Sequence, residues 1–213
     1  MKEIYMDNSA TTPLCEAAKA ALVEGFDIFG NPSSLHSIGH TAEKALERCR
    51  QTVFEALGAK DGKLIFTGSG SEANNLAFFG TAYAKKSNFG KKIIISDSEH
   101  PSVSRCAEEL AERGFQLVKI PTKGGVVDED ALLDAVDDKT FLVSIMTVNN
   151  ETGAQYDIKR LCALCKRKNH GVIFHTDAVQ AFGKMPINVA DLGVDLLTAS
   201  GHKIHGPKGI GIL

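Results

Sequence analysis

The stretch "KIIISDSEHPSVSRCAEELAERGFQLVKI" (92–120) reads as one strand–helix–strand unit. Its two apolar runs, "KIIIS" (92–96) and "FQLVKI" (115–120), are too short for helices and nearly continuous in apolar residues, the pattern of strands buried on both faces. Between them Pro101 opens a helical stretch over 101–113, because a proline at the first helical position gives up no needed N–H. Working outward, the same kind of run recurs at "KLIF" (63–66), "FLVSIM" (141–146), "GVIFH" (171–175) and "DLLTA" (195–199). Further helical patterns lie at about 13–28, 35–57, 71–86, 128–136 and 157–168. Regular alternation of strand and helix predicts an α/β fold around a mostly parallel sheet covered on both faces. The glycine pair in "PTKGGVVDE" (121–129) predicts a turn, and no repeat, low-complexity tract or linker divides the chain.

With 213 residues, 43% of them hydrophobic, the chain can bury one core of substantial size. Net charge is -2, and lysines and arginines are scattered, so no basic stripe suited to nucleic acid is present. The N-terminus lacks an apolar targeting core, and "FLVSIMTV" (141–148) falls far short of the roughly 18 residues of a membrane span. Five cysteines without framework spacing predict free thiols in a reducing compartment, hence a cytoplasmic protein that does not work at a membrane.

In open α/β sheets, ligands collect beyond the carboxyl ends of the strands, and five strand exits carry chemistry here. "TGSGSEANNLAFFG" (67–80) leads small residues into a helix near Ser71. That is either an anion cradle at a helix N-terminus or a glycine turn with Ser71 as cap and Glu72 in the first turn. "DSEHPSVSRC" (97–106) places His100 at a strand end; "TVNNETG" (147–153) places Asn149 and Asn150 there. "TDAVQAFGK" (176–184) supplies Asp177 and Gln180, the acid being either a site group or a helix cap. "SGHKIHGPKG" (200–209) supplies Lys203 in a glycine-rich turn. An anion cradle, an acid and a lysine in one crevice form the inventory of pyridoxal phosphate chemistry, which needs an amine for a Schiff base and a carboxylate beside the pyridine nitrogen.

The chain resembles the cysteine desulfurases, within the class V aminotransferase-like, fold-type I pyridoxal phosphate enzymes. The resemblance rests on seven ordered stretches: "YMDNSATT" (5–12), "FGNPSSLHSIGH" (29–40), "FTGSGSEANNLA" (66–77), "SEHPSV" (98–103), "VNNETG" (148–153), "FHTDAVQAFGKMPI" (174–187) and "SGHKIHGPKGIG" (200–211). It implies the three-layer α/β/α large domain of those enzymes over 1–213, including an N-terminal segment of about 1–28. The mostly parallel mixed sheet belongs to this domain, and the small C-terminal domain is missing.

The resemblance further implies that Lys203 holds the cofactor as a Schiff base, with Asp177 at the pyridinium nitrogen. His100 would stack on the ring and assist proton transfers. Gln180 would bond the phenolic oxygen, and Asn150 would lie near that oxygen and the substrate carboxylate. Gly70, Ser71, Ser200 and His202 would hold the phosphate. The reaction implied is conversion of L-cysteine to L-alanine, with sulfur passed to an enzyme thiol and on to a sulfur acceptor or iron–sulfur scaffold protein. A homodimer is the implied assembly. No metal is expected.

Some features depart from the family. "TGSGSE" replaces its commoner "TSGATE" or "TSGGTE", His205 stands where tyrosine is common, and Lys208 takes no chemical role. Family members are longer, and the part beyond position 213 carries their nucleophilic cysteine loop and carboxylate-binding arginine. Cys15, Cys49, Cys106, Cys162 and Cys165 do not match that loop, so a fragment or split chain, inactive alone, is the expectation. A strand at "GIGIL" (209–213) is expected to leave apolar surface uncovered. Selenocysteine lyase, another class V enzyme and a non-catalytic remnant are the rival readings. "LCALCK" (161–166) and the His36/His40 pair offer too few ligands for zinc.

Overall fold

The computed structural model describes residues 3–84 and 90–213. In chain order its elements are α1 (Glu16–Gly25), α2 (Ser37–Leu57), β1 (Phe66–Thr67), α3 (Gly70–Ala84), β2 (Lys92–Ser96), α4 (Pro101–Glu112), β3 (Gln116–Ile120), β4 (Thr122–Lys123), β5 (Val126–Val127), α5 (Glu129–Ala135), β6 (Thr140–Ser144), α6 (Ile158–Lys168), β7 (Ile173–Asp177), α7 (Val189–Leu192), β8 (Leu196–Ser200) and β9 (Gly211–Ile212). Residues 85–86 of the expected third helix lie outside the described residues.

Seven strands form one sheet in the order β1-β9-β8-β7-β6-β2-β3. The five strands from β8 to β3 run parallel, while β9 is antiparallel to both of its neighbours. The sheet is therefore mixed and mostly parallel. The continuous apolar runs explain the layers, because successive strand residues point to opposite faces. Ile94, Val143 and Phe174 pack with Leu132 of α5 and Leu161, Cys162 and Cys165 of α6. Ile93, Ile95 and Leu142 pack on the other face with Ala77 and Phe78 of α3 and Val103, Ala107 and Leu110 of α4. Each such Ile, Val, Leu or Phe side chain, fully buried, contributes roughly 1.5–3 kcal/mol. Inside the sheet, His175 bonds Ser144 at 2.8 Å and Thr198 at 3.0 Å, joining β6, β7 and β8, and burial lowers its pKa to about 3, so it stays neutral.

Two expectations need correction. "KLIF" (63–66) is strand only at Phe66, and β1 continues to Thr67, because its pairing is set by Gly211 and Ile212 at the far end of the chain. The final strand does not present an open apolar edge. It lies between β8 and β1, Ile212 is buried, and Leu213 exchanges two backbone hydrogen bonds with Ile65. The expected glycine turn is the β4–β5 hairpin, where Gly124 and Gly125 take positive φ of 59° and 80°. His36 Nδ1 accepts from the Gly39 N–H as the cap of α2, and His40 Nδ1 bonds Glu43. Among the described residues, no helix is long and apolar enough to cross a membrane, and no group of three or more His, Cys, Asp or Glu could hold a metal ion.

Candidate active site

The parallel strands end on one side of the sheet, and β2 is flanked by β3 on one side and β6 on the other, the reversal of strand order where a crevice opens. A cavity of about 480 Å³ lies over these ends. Gly70, Ser71, His100, Asn150, Asp177, Gln180, Ser200, His202 and Lys203 all line it. Asn149 does not; its buried amide bonds the Ser98 carbonyl and the backbone of residues 151 and 152, a turn-stabilising role.

The acid is the last residue of β7 rather than the residue after it. Asp177 Oδ1 accepts from the Val179 N–H at 2.9 Å, which orders the following turn, and no helix begins there. Its Oδ2 accepts from Asn74 Nδ2 at 2.8 Å. Burial pushes this carboxyl above the ordinary aspartate range, against the opposing pull of Asn74, the Val179 N–H, His100 and Lys203.

Lys203 sits in a short 3-10 turn, Gly201–Lys203, directly after β8. Its Nζ donates to the Ala10 carbonyl at 2.7 Å and to the Ser9 carbonyl. Burial lowers its pKa, while Asp7 and Asp177 oppose that shift, so the turn favours a neutral amine more than water does. The turn is clasped by the N-terminal segment. Thr12 donates its N–H and hydroxyl to the His202 carbonyl at 2.9 and 2.8 Å, and its hydroxyl oxygen accepts from the His205 N–H at 2.7 Å. His205, a non-glycine residue at a φ of 63°, also places its ring against the Pro13 carbonyl. His202 Nδ1 meets Thr11 Oγ1 at 3.0 Å, and burial, Lys203 and Lys208 hold its pKa down. Gln180 donates to the Ser9 carbonyl and accepts from Lys184.

At the start of α3 the capping residue is Ser69, not Ser71. Its Oγ accepts from the Glu72 N–H and its carbonyl from the Ala73 N–H. The first N–H groups of a helix have no intrahelical partner, which leaves those of Gly70 and Ser71 at the cavity. A Cβ on Gly70 would meet Val179 Cγ2 at 3.0 Å and Ser200 Cβ at 3.3 Å, so only glycine fits without displacement.

Sequence reasoning missed several groups here. Asn74 lies one turn beyond Gly70 on the same helix face, and Ser102 follows His100 at a capping distance; those spacings were the only signals. Glu99 is buried beside the site, accepts from Ser96 and the Met146 N–H through Oε1, and leaves Oε2 without a partner among the described residues. Burial raises its pKa to about 8. None of the five cysteines lines the cavity. Burial pushes the Cys106 and Cys162 thiols up to about 11 and Cys165 to about 12, so none of these three is a thiolate near neutral pH.

Comparison with known proteins gives a consistent picture. The aminotransferase class-V family model matches residues 4–213. The chain is similar to cysteine desulfurase IscS of Dictyoglomus turgidum, at 44% identity over all of this chain and 54% of that protein. It is similar to the IscS of Methanosarcina thermophila at 44% identity, over all of this chain and 52% of that one. The chain thus spans about half the length of these curated relatives. A solved NifS-like protein superposes with a TM-score of 0.95 at 34% identity, over 99% of this chain and 58% of its own. SspA in complex with cysteine superposes at 0.91 and 34% identity, over 99% of this chain and 60% of its own.

Proposed function

Because the chain belongs to the class-V aminotransferase family, we propose that residues 1–213 are the cofactor-binding large domain of a pyridoxal phosphate-dependent cysteine desulfurase. The observation that carries this reading is the meeting of two groups across one cavity: a buried carboxyl that no cation bonds among the described residues, and a lysine amine whose basicity burial lowers. The residues fit the group. Asp177 would hold a protonated pyridine nitrogen, Lys203 Nζ the aldehyde carbon, and the N–H groups of Gly70 and Ser71 with Ser200 and His202 the phosphate. His100 would cover the ring face, Gln180 would meet the phenolic oxygen, and Asn150 would lie beside the substrate.

When bound, pyridoxal phosphate supplies an electron-accepting ring that stabilises negative charge at the α-carbon of an amino acid. The chain's own residues do the rest. Asp177, anchored by Asn74 and the Val179 N–H, holds its proton-accepting oxygen in place without rearrangement. Lys203, with its amine less protonated than in water, can take a proton at Nζ. Its hydrogen bonds to the Ser9 and Ala10 carbonyls use amine hydrogens and leave the lone pair of the neutral amine free, and they make the N-terminal segment part of the site.

L-cysteine is the proposed substrate, in line with the names of the relatives and the cysteine bound to SspA. The thiol that takes the sulfur is not among the cavity residues of this chain. A sulfur acceptor or iron–sulfur scaffold protein is the proposed partner, in the cytoplasm, and a second copy of the chain the proposed cover for its exposed apolar residues. Titrating the chain with pyridoxal phosphate tests the core of this reading. Visible absorption that persists through gel filtration, and is lost in Lys203→Ala, is expected; retention of the same band by Lys203→Ala overturns it.

A further inference from the structure

Four side chains form one hydrogen-bonded chain along the cavity wall. Asn74 Nδ2 lies 2.8 Å from Asp177 Oδ2 and 2.8 Å from Ser102 Oγ, and Ser102 Oγ lies 2.7 Å from His100 Nδ1. The direction of donation follows from the chemistry of the groups. An amide nitrogen has two hydrogens and no lone pair to offer, so Asn74 donates to both neighbours. Turning the amide round would set its oxygen against a carboxylate oxygen and lose both donations. Ser102 Oγ accepts from Asn74, which leaves its own hydrogen for His100 Nδ1. That nitrogen also accepts from the Ser102 backbone N–H at 3.1 Å, the cap at the start of α4. Asn74 is 1% exposed and anchors the chain from the buried side, so the polarity is set from the interior outward.

We propose that Asn74 and Ser102 are positioning residues that lock neutral His100 in the tautomer with its proton on Nε2, the ring edge turned away from α4. Two donors converge on Nδ1, and a proton there would face both. The consequence for chemistry rests on the cofactor reading of the cavity: His100 offers a hydrogen-bond donor at its Nε2 edge. It does not offer a lone pair, so proton removal falls to Lys203.

Nitrogen NMR of the intact chain with labelled histidine, without cofactor and at a pH where the imidazole is neutral, reads the tautomer directly. The wild-type His100 signals should show the proton on Nε2. Ser102→Ala removes one of the two donors and should raise the Nδ1–H to Nε2–H ratio by about fivefold, the worth of one ordinary hydrogen bond. Ser102→Thr, which keeps the hydroxyl, should restore the wild-type pattern. Asn74→Ala should move the ratio in the same direction by less, since the hydroxyl is then free to turn. A wild-type ring protonated on Nδ1, or a Ser102→Ala spectrum identical to wild type, overturns the proposal. Failure of the cofactor reading would appear elsewhere, as no visible absorption on adding pyridoxal phosphate to a chain whose histidine signals behave as described.

Discussion

The two walls of the cavity are held by different forces. One wall is the ends of β2, β6 and β7, whose residues are buried between α3 and α4 on one face and α5 and α6 on the other, and of β8, whose Leu197 and Ala199 pack with Leu57 of α2, Ala178 and Ala181. The other is the segment before α2, where α1 buries none of its residues and Phe26 and Phe29 are 78% and 79% exposed. That segment reaches the site through polar bonds from Ser9, Ala10, Thr11 and Thr12 to the lysine turn. The contrast teaches that the acid and the histidine stand on a rigid frame, whereas the lysine's resting partners belong to a limb that this chain alone packs weakly.

The strongest way to probe the rigid wall is through its buried acid. An unfolded Glu99 ionises near 4.5, but the folded one only at about 8, so between those pH values the native state binds the extra proton. Stability tied to this group is full below the lower value and is lost as pH rises through the upper one, with a slope approaching about 1.4 kcal/mol per pH unit. Glu99→Gln cannot ionise and should flatten that slope; urea midpoints recorded across the range check it. Equal slopes in both proteins would mean Glu99 is ionised where it lies.

A smaller loss is expected at the site itself. Asp177→Ala leaves the Asn74 amide without its buried acceptor and removes a charged partner for a pyridinium, so retention of pyridoxal phosphate should fall about 10- to 100-fold. Spectrophotometric titration measures this. On the limb, Thr12→Val removes the hydroxyl that bonds the His202 carbonyl and the His205 N–H, at a cost of roughly 1–3 kcal/mol. Limited proteolysis should then cut before α2 at lower protease concentration, with the sheet intact. Least affected should be the folded stability of Phe29→Ser, within about 0.5 kcal/mol, since that ring is exposed. If copies associate as proposed, sedimentation should nevertheless show weaker self-association, and unchanged association would remove Phe29 from any contact between copies.

The same contrast explains what the sequence made legible. Strands β2, β6, β7 and β8 stood out because a strand covered on both faces is largely apolar, whatever its partners, while β3, at the sheet edge with Gln116 and Lys119 exposed, stood out through Leu117, Val118 and Ile120. β1 was misplaced because its pairing with β9 is decided by residues far away in sequence. Site residues at strand exits were readable from their type. Asn74 was not, since a buried asparagine on a helix resembles a surface one until its acceptors are known. The limb was least legible of all. Its bonds to Lys203 come from the main-chain carbonyls of Ser9 and Ala10, which leave no mark in side-chain identity.

The position of β9 between β8 and β1 carries a kinetic consequence. Phe66 pairs with Ile212, so the early strand has no neighbour in the sheet until the last residues of this sequence exist and are brought to it. The parallel strands from β2 to β8 join through successive crossovers and can assemble while synthesis proceeds, but closing β1 onto β9 spans most of the chain and comes late. During translation, β1 and the apolar end of α2, Val53, Phe54 and Leu57, which share a cluster with Ile212, would wait without these partners, the part of the nascent chain on which a chaperone would act.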